Sequence, residues 1–323
     1  MPGVQIPLRP LEKEDNKMIT RRTKEDIKNA LIVIFLSLIC IYFFISHFIL
    51  KTKNSNQSIN QKTLGLQTQL PKNLEEAVSR SLEGSNGTYS IVIKNLKNGQ
   101  EFYLKDHQLF DAGSLYKLWV MAVSFDQIQK GELKIDEILS EDVSNLNDKF
   151  NISDDQAELT EGVVTLSVGD ALKQMITISH NYAALLLTER IKLSSVNNFL
   201  EKNGFKESKV GTESESPTTT AADIALFFEK LYHGELADKD LTGQMLDLLK
   251  NQQLNDKLPK LLPQGILVAH KTGEIDYFSH DAGIVFSPKG DYIIVVLSKT
   301  DLPTAAEDRI SKISKEVYDY FER

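Results

Sequence analysis

Apolar runs of strand length occur at the two ends of this chain and not between them. Residues 89–93 and Glu101–Leu104 form one group, and residues 265–271, 281–286 and 292–298 form the other. The roughly 160 residues between the groups carry their apolar positions mainly at helical spacing. The chain must therefore leave its sheet after two strands and return to it for three more. Tyr89, Ile91 and Ile93 share one side of the first run, and Asn98-Gly99 supplies the hairpin turn to the second. Pro288-Lys289-Gly290-Asp291 turns between the last two runs. Leu74, Val78 and Leu82 line one face of a helix, and residues 305–321 close the chain as another. Helices are also expected over 115–128, 168–176, 182–191, 196–201 and 221–232, with Thr218 to Thr220 offering an N-cap to the last. The expected fold is α+β: a five-stranded antiparallel sheet flanked by its terminal helices, with an all-helical subdomain inserted, making a three-layer α/β/α sandwich.

Residues 30–50 divide the chain differently. They are 21 residues without a formal charge, rich in Ile, Leu and Phe, and at about 1.5 Å per residue they span a hydrocarbon core of roughly 30 Å. No small-x-small cleavage site follows, and Ile39 before Cys40 is bulky where a lipid-attachment signal wants a small residue. The expectation is a short cytoplasmic segment over 1–29, an uncleaved transmembrane anchor over 30–50, a polar linker over 51–71 and one hydrolase domain over 72–323. Arg21, Arg22, Lys24 and Lys28 precede the run, while Lys51 and Lys53 follow it. The larger N-side cluster favours a single-pass protein of the cell membrane with its catalytic part extracytoplasmic. The domain, about 250 residues, is long enough for a sizeable core and is expected to be monomeric.

Cys40 is the sole cysteine and lies in the apolar run, so disulfides, thiolate catalysis and cysteine metal sites are excluded from residues 72–323. No metal and no cofactor are expected. The net charge is -8 with no dense Lys/Arg run outside the flanks of 30–50, which argues against nucleic acid as a partner.

Three short elements carry the chemistry. Ser114-Leu115-Tyr116-Lys117, Ser179-His180-Asn181 and Lys271-Thr272-Gly273 follow in that order, with 64 residues between Ser114 and Ser179 and 91 between Ser179 and Lys271. Alone, the first is an ordinary exposed helix pair and the third a turn. Together they describe a serine nucleophile that works without a histidine base. Ala112-Gly113 is a small-residue approach to a helix, which places the Ser114 hydroxyl at its N-terminus. Lys117 is one turn later, about 5–6 Å away at Cβ. Its amine can take the serine proton only if burial and a neighbouring cation lower its pKa from about 10.4, and Lys271 is the candidate neighbour. Ser179 is read as the shuttle to the leaving nitrogen and Asn181 as a clamp for the substrate's side-chain amide; helix capping before Tyr182 is the alternative for both. His180 between them is read as a structural or surface histidine. Lys271 and Thr272 are placed on the cleft wall, Gly273 where a substrate approaches the backbone without a Cβ in the way, and the backbone N–H groups of Ser114 and Glu274 as an oxyanion hole.

With these elements in place the chain resembles the penicillin-recognising serine enzymes, and more narrowly the class A β-lactamases. The resemblance is carried by Phe110-Asp111-Ala112-Gly113-Ser114-Leu115-Tyr116-Lys117, Met175-Ile176-Thr177-Ile178-Ser179-His180-Asn181-Tyr182-Ala183-Ala184-Leu185-Leu186 and His270-Lys271-Thr272-Gly273, together with Pro217-Thr218-Thr219-Thr220 and Asp281-Ala282-Gly283-Ile284-Val285. It covers about residues 72–323 and implies a fold of the β-lactamase/transpeptidase type. It also implies opening of a β-lactam amide by Ser114 to give an acyl-enzyme, with Lys271 and Thr272 receiving the substrate carboxylate. His180 stands where the family usually has aspartate.

Two departures bear on turnover. Class A enzymes carry a Glu-x-x-Leu-Asn string whose glutamate positions the deacylating water, and no such string lies between Asn181 and Lys271. The span 204–218 has 15 positions including Glu207, Glu213 and Glu215; Glu213 and Glu215 are the candidate bases, against a solvated acidic loop. Glu274 stands where a small residue is usual, able to turn away or to repel an anionic substrate, and no arginine lies between Lys271 and Lys289. Three readings follow. A membrane-anchored serine β-lactamase is favoured by the overall similarity. A D,D-carboxypeptidase or transpeptidase acting on peptidoglycan stem peptides is favoured by the missing glutamate string. A non-catalytic cell-wall-binding module is disfavoured by the complete serine and lysine set.

Overall fold

The computed structural model describes residues 71–211 and 215–323. Helix α1 (Leu74–Leu82) starts at Asn73, whose side chain accepts from the Glu76 backbone N–H, with Glu75 and Glu76 in the first turn. Strands β1 (Thr88–Asn95) and β2 (Glu101–Leu104) pair antiparallel, and Asn95 Oδ1 accepts from the Lys97 and Asn98 backbones in the turn between them. The chain then enters the short strand β3 (Phe110–Asp111) and the helical block. This comprises α2 (Lys117–Gln129), β4 (Ile138–Asp142), α3 (Val143–Lys149), β5 (Val163–Ser167), α4 (Val168–Thr177), α5 (Asn181–Ile191), α6 (Leu193–Asn203), β6 (Thr218–Thr219), α7 (Ala221–Tyr232) and α8 (Lys239–Lys250). Strands β7 (Leu267–Ile275), β8 (Phe278–Phe286) and β9 (Tyr292–Lys299) return to the sheet, and α9 (Pro303–Phe321) ends it.

The sheet runs β2-β1-β9-β8-β7 with every neighbouring pair antiparallel. This is the expected five-stranded arrangement, and the two-residue side-chain period divides the core between its faces. Tyr89, Ile91 and Ile93 on β1 pack with Ile294 and Val296 against Val78 of α1 and Ile310, Ile313 and Val317 of α9. Val92, Ile293 and Val295 face the other way, onto the cluster that contains Ile224 and Phe228 of α7. Helix α2 is buried on nearly every side, from Leu118 through Val123, as suits a helix at the centre of its subdomain.

The expectation of a membrane anchor is corrected. Among the described residues no helix is long and apolar enough to cross a membrane. The longest, α9, carries Glu307, Asp308, Arg309, Lys312, Lys315, Glu316 and Asp319. The expected cytoplasmic segment 1–29, anchor 30–50 and linker to residue 70 lie outside the described residues. The membrane as a partner, the single-pass extracytoplasmic placement and the membrane-anchored β-lactamase reading are not retained.

Candidate active site

Ser114 is held from two sides. Phe110 and Asp111 of β3 pair with Thr219 and Thr218 of β6, the Ala112 N–H donates to Pro217 O at 2.8 Å, and the chain then enters a 3-10 turn, Gly113–Tyr116, that runs directly into α2. From the sheet, His280 Nε2–H donates to Asp111 O at 2.8 Å while its Nδ1 accepts from the Ser298 N–H at 3.1 Å. Those two bonds fix one neutral tautomer, and burial pushes the His280 pKa down to about 4. Ser114 itself is half-buried, and its hydroxyl makes no hydrogen bond among the described residues.

The two lysines meet at Ser179. Lys117 Nζ lies 2.6 Å from Ser179 O, 2.6 Å from Asn181 Oδ1 and 3.2 Å from Ser179 Oγ; Lys271 Nζ lies 3.0 Å from the same Oγ and 2.9 Å from Thr272 O. Both side chains are fully buried. Desolvation lowers the Lys117 pKa to about 7, opposed by the charge of Glu158. Lys271 is held well below its usual value, first by desolvation and then by the charge of Lys117. The sequence expectation assigned part of the Lys117 shift to Lys271, whereas burial is its leading cause. A neutral Lys117 amine has two hydrogens, which match the two short contacts to Ser179 O and Asn181 Oδ1, and a lone pair left to accept a proton. Lys117 is thus bonded to Ser179 and Asn181 rather than to Ser114, an arrangement that substrate binding can tighten. Ser179 adopts a left-handed conformation, φ 60, between α4 and α5, and this places its O and Oγ on the amine together.

The turn that carries Ser114 and β7 approach at backbone distance. A Cβ on Gly113, whose φ is +48, would lie 2.9 Å from the Glu274 nitrogen, and one on Gly273 would lie 2.8 Å from Ala112 O. The backbone of the turn that carries Ser114 thus lies directly against that of Glu274. Gly273 accordingly makes room for protein backbone, where the sequence suggested room for substrate. Gly273→Ala is expected to cost about 1–3 kcal/mol through overpacking and, because it pushes the turn off β7, to slow acylation by roughly a hundredfold; chemical denaturation and acylation kinetics on the same protein check both.

Other expected site residues are placed as follows. The Lys271-Thr272-Gly273 element lies inside β7 rather than at its end. Thr272 makes no side-chain hydrogen bond among the described residues, leaving its hydroxyl available to a ligand. His180, not Ser179 or Asn181, caps α5: its Nδ1 accepts from the Ala183 N–H at 3.1 Å. Glu274 turns its carboxylate onto Lys257, a side chain only 3% exposed, so that its charge is neutralised. Glu215 is exposed and lines a cavity of about 440 Å³ with Tyr116, Trp119 and Pro217. Glu213 lies outside the described residues. No group of acidic, histidine or cysteine side chains among the described residues has the arrangement of a metal site.

Three contributors carry no motif. Lys257 reaches Glu274 from the loop after α8, and its neighbour Leu258 donates its N–H at 3.0 Å to Asp281, which also bonds His270. Glu158, from the loop between α3 and β5, accepts from Asn181 Nδ2 at 2.6 Å. His280 is the third. Each acts through a contact distant in sequence, and the sole sequence signal was for Asp281 and its neighbours within a resembling string.

The Beta-lactamase enzyme family model matches residues 73–321. No curated protein matches the chain. Among solved structures, PBP-A is similar with a TM-score of 0.68 at 23% identity, over 78% of this chain and 96% of that one. A β-lactamase from Sphaerobacter thermophilus DSM 20745 gives 0.67 at 24%, over 77% and 97%, and the TLA-1 extended-spectrum β-lactamase 0.68 at 21%, over 79% and 100%. At these identities the structural likenesses speak for the fold, while the family match spans most of the chain together with the serine and lysine elements that meet in one buried site; the chain belongs to the Beta-lactamase enzyme family.

Proposed function

We propose that this protein is a penicillin-binding-protein-like D,D-carboxypeptidase or transpeptidase that acylates Ser114 with peptidoglycan stem peptides. The observation that carries the reading is the Ser179 hydroxyl held between two buried lysine amines, 3.2 Å from Lys117 and 3.0 Å from Lys271. Such a bridge passes a proton and serves no purpose in simple binding. Lys117 takes the Ser114 proton as Oγ attacks the carbonyl carbon of the terminal peptide bond. The oxyanion is received by the Ser114 and Glu274 N–H groups, and Ser179 delivers the proton to the departing amine. The C–N bond breaks, the donor remains as an ester on Ser114, and water or an acceptor amine resolves it. The donor's C-terminal carboxylate is received by Lys271 and Thr272, and the Lys257 cation beneath Glu274 removes the repulsion that the Glu274 charge would otherwise exert on it.

Slow release of a β-lactam adduct fits this reading. Among the described residues no carboxylate hydrogen-bonds Ser114, Lys117, Ser179 or Lys271, and Glu158, whose charge acts on Lys117, bonds Asn181. A PBP-A mutant solved as an acyl-enzyme complex with penicillin G shares the fold, with a TM-score of 0.67 at 23% identity over 77% of this chain and 96% of that one. The test mixes the protein with a chromogenic cephalosporin and follows product and intact mass together. A burst of about one equivalent with a persistent adduct is expected, as is release of D-alanine from a peptide ending in two D-alanines. Sustained hydrolysis with little adduct would replace the peptidase reading with rapid β-lactam turnover.

A further inference from the structure

The cavity of about 440 Å³ lies along the turn and helix that carry Ser114, with Tyr116 and Trp119 in its wall. Its size falls within the range of about 300–1,000 Å³ that takes small organic ligands. Leu185 of α5 and Val196 of α6, both buried, supply apolar wall. Val210 and Pro217 line it from a loop whose neck is drawn tight: Lys209 and Thr218 exchange two backbone hydrogen bonds at 2.9 and 3.0 Å, and a Cβ on Gly211, whose φ is +81, would collide with Glu215 O.

Two polar groups in this wall are unused. Trp119 is only 1% exposed, yet its indole N–H makes no hydrogen bond among the described residues, and neither does the Tyr116 hydroxyl. Buried tryptophan N–H groups ordinarily find an acceptor. The sealed orphan hydroxyls of the described residues are those of Ser279 and Tyr292, so the indole and the phenol reach open space in the cavity they line. Asn151, Gln156, Glu215 and Ser216 are exposed and form a polar mouth. Lys149, the one cation of the lining, is already paired with Glu141 and Glu189, while Glu215 has no ion pair among the described residues. The site therefore suits an uncharged ligand that combines a carbonyl acceptor, a small apolar group and several hydroxyls.

We propose that this cavity binds an N-acetylated sugar, the acetamide carbonyl accepting from the Trp119 N–H, its methyl lying against Leu185 and Val196, and the ring hydroxyls meeting the amides and carboxylate of the mouth. The proposal rests on the peptidase reading for the source of its ligand, because the glycan strand that carries a stem peptide is built of such sugars. Trp119 lies roughly 8–10 Å along the helix from Ser114 at about 1.5–2.0 Å per residue. The sugar and the reacting bond of a stem peptide are separated by about three residues, which span roughly 10 Å. One donor strand can thus fill the cavity and reach Ser114.

Trp119 is the sole tryptophan of the chain, so its indole N–H gives a single NMR resonance that reports on the cavity directly. Titrating N-acetylglucosamine into the full chain is expected to move that resonance downfield to saturation, with a Kd of about 1 mM. D-Glucose has the ring without the acetamide, and N-acetyl-D-alanine amide has the acetamide without the ring; each is expected to bind about tenfold more weakly. Val210→Phe, which fills the cavity from its loop, is expected to weaken N-acetylglucosamine binding about tenfold, and Gln156→Ala, at an exposed position, about two- to fivefold. No shift with N-acetylglucosamine, equal affinity for either control compound, or an affinity unchanged in both variants would each overturn the proposal. None of these readouts involves turnover, so failure of the peptidase reading shows separately, as absence of a Ser114 adduct and of D-alanine release.

Discussion

Ser114→Ala is expected to abolish covalent labelling by β-lactams completely while leaving the fold intact. The hydroxyl makes no hydrogen bond among the described residues, and the turn that carries it is anchored through its backbone, the Ala112 N–H donating to Pro217 O and the His280 side chain donating to Asp111 O. Removing one unbonded oxygen should therefore change stability by no more than about 0.5 kcal/mol. Intact-mass measurement after incubation with penicillin reads the chemistry, and thermal unfolding reads the fold. A surviving adduct would move the nucleophile to another hydroxyl, with Ser179 first in line because its Oγ already lies within hydrogen-bonding distance of both lysine amines. Loss of the adduct together with loss of folding would instead mean that the Ser114 hydroxyl supports the turn.

The fold could be read from the sequence where its periods are long and uninterrupted. Helix α1 and strand β2 fall on the residues expected, and α7 starts with Thr220 accepting from the Asp223 N–H, the cap that the threonine run suggested. Strands β3 and β6 have two residues each, too few to show a period, yet they hold the turn that carries Ser114 in place. Strands β4 and β5 alternate only weakly because one of their faces is largely exposed, with Ile138 and Val163 in solvent. Helix α8 was missed because it buries only Thr242, Met245 and Leu249 among its twelve residues.

The site divides along a similar line. Its three motifs are short strings and could be read directly, whereas Lys257, Glu158 and His280 act across gaps of 17, 23 and 169 residues to Glu274, Asn181 and Asp111. No local pattern encodes such pairings. Glu274 shows the consequence most clearly. As a sequence it reads as a possible source of repulsion beside the carboxylate site; in the structure its charge is taken up by Lys257 and its backbone nitrogen lies against the turn that carries Ser114.

Lys117 links chemistry and stability through one buried amine, and both links can be measured. With its pKa lowered to about 7 by desolvation, the amine becomes a competent base as pH rises through about 7, so acylation should climb with pH across that value and level off above it. Lys117→Arg, which keeps a cation but cannot accept a proton, is expected to slow acylation by about 10³–10⁴-fold and to remove that rise. A rate that stayed pH-independent in the unaltered protein would take the base role away from Lys117. Stability must respond in the same range. The unfolded chain holds the Lys117 proton up to its ordinary value of 10.5, while the folded protein gives it up near 7, so between these values the unfolded state binds more protons and folding stability rises with pH. The burial cost is fully present below about 7 and disappears as pH approaches 10.5. Lys117→Met should therefore reduce the slope of unfolding free energy against pH in that window by up to about 1.4 kcal/mol per pH unit, whatever its effect on absolute stability through the acceptors it leaves at Ser179 and Asn181. Denaturant titrations at several pH values read the slope directly, and an unchanged slope would show that Lys117 keeps its proton in the folded state, where it could not serve as the base for Ser114.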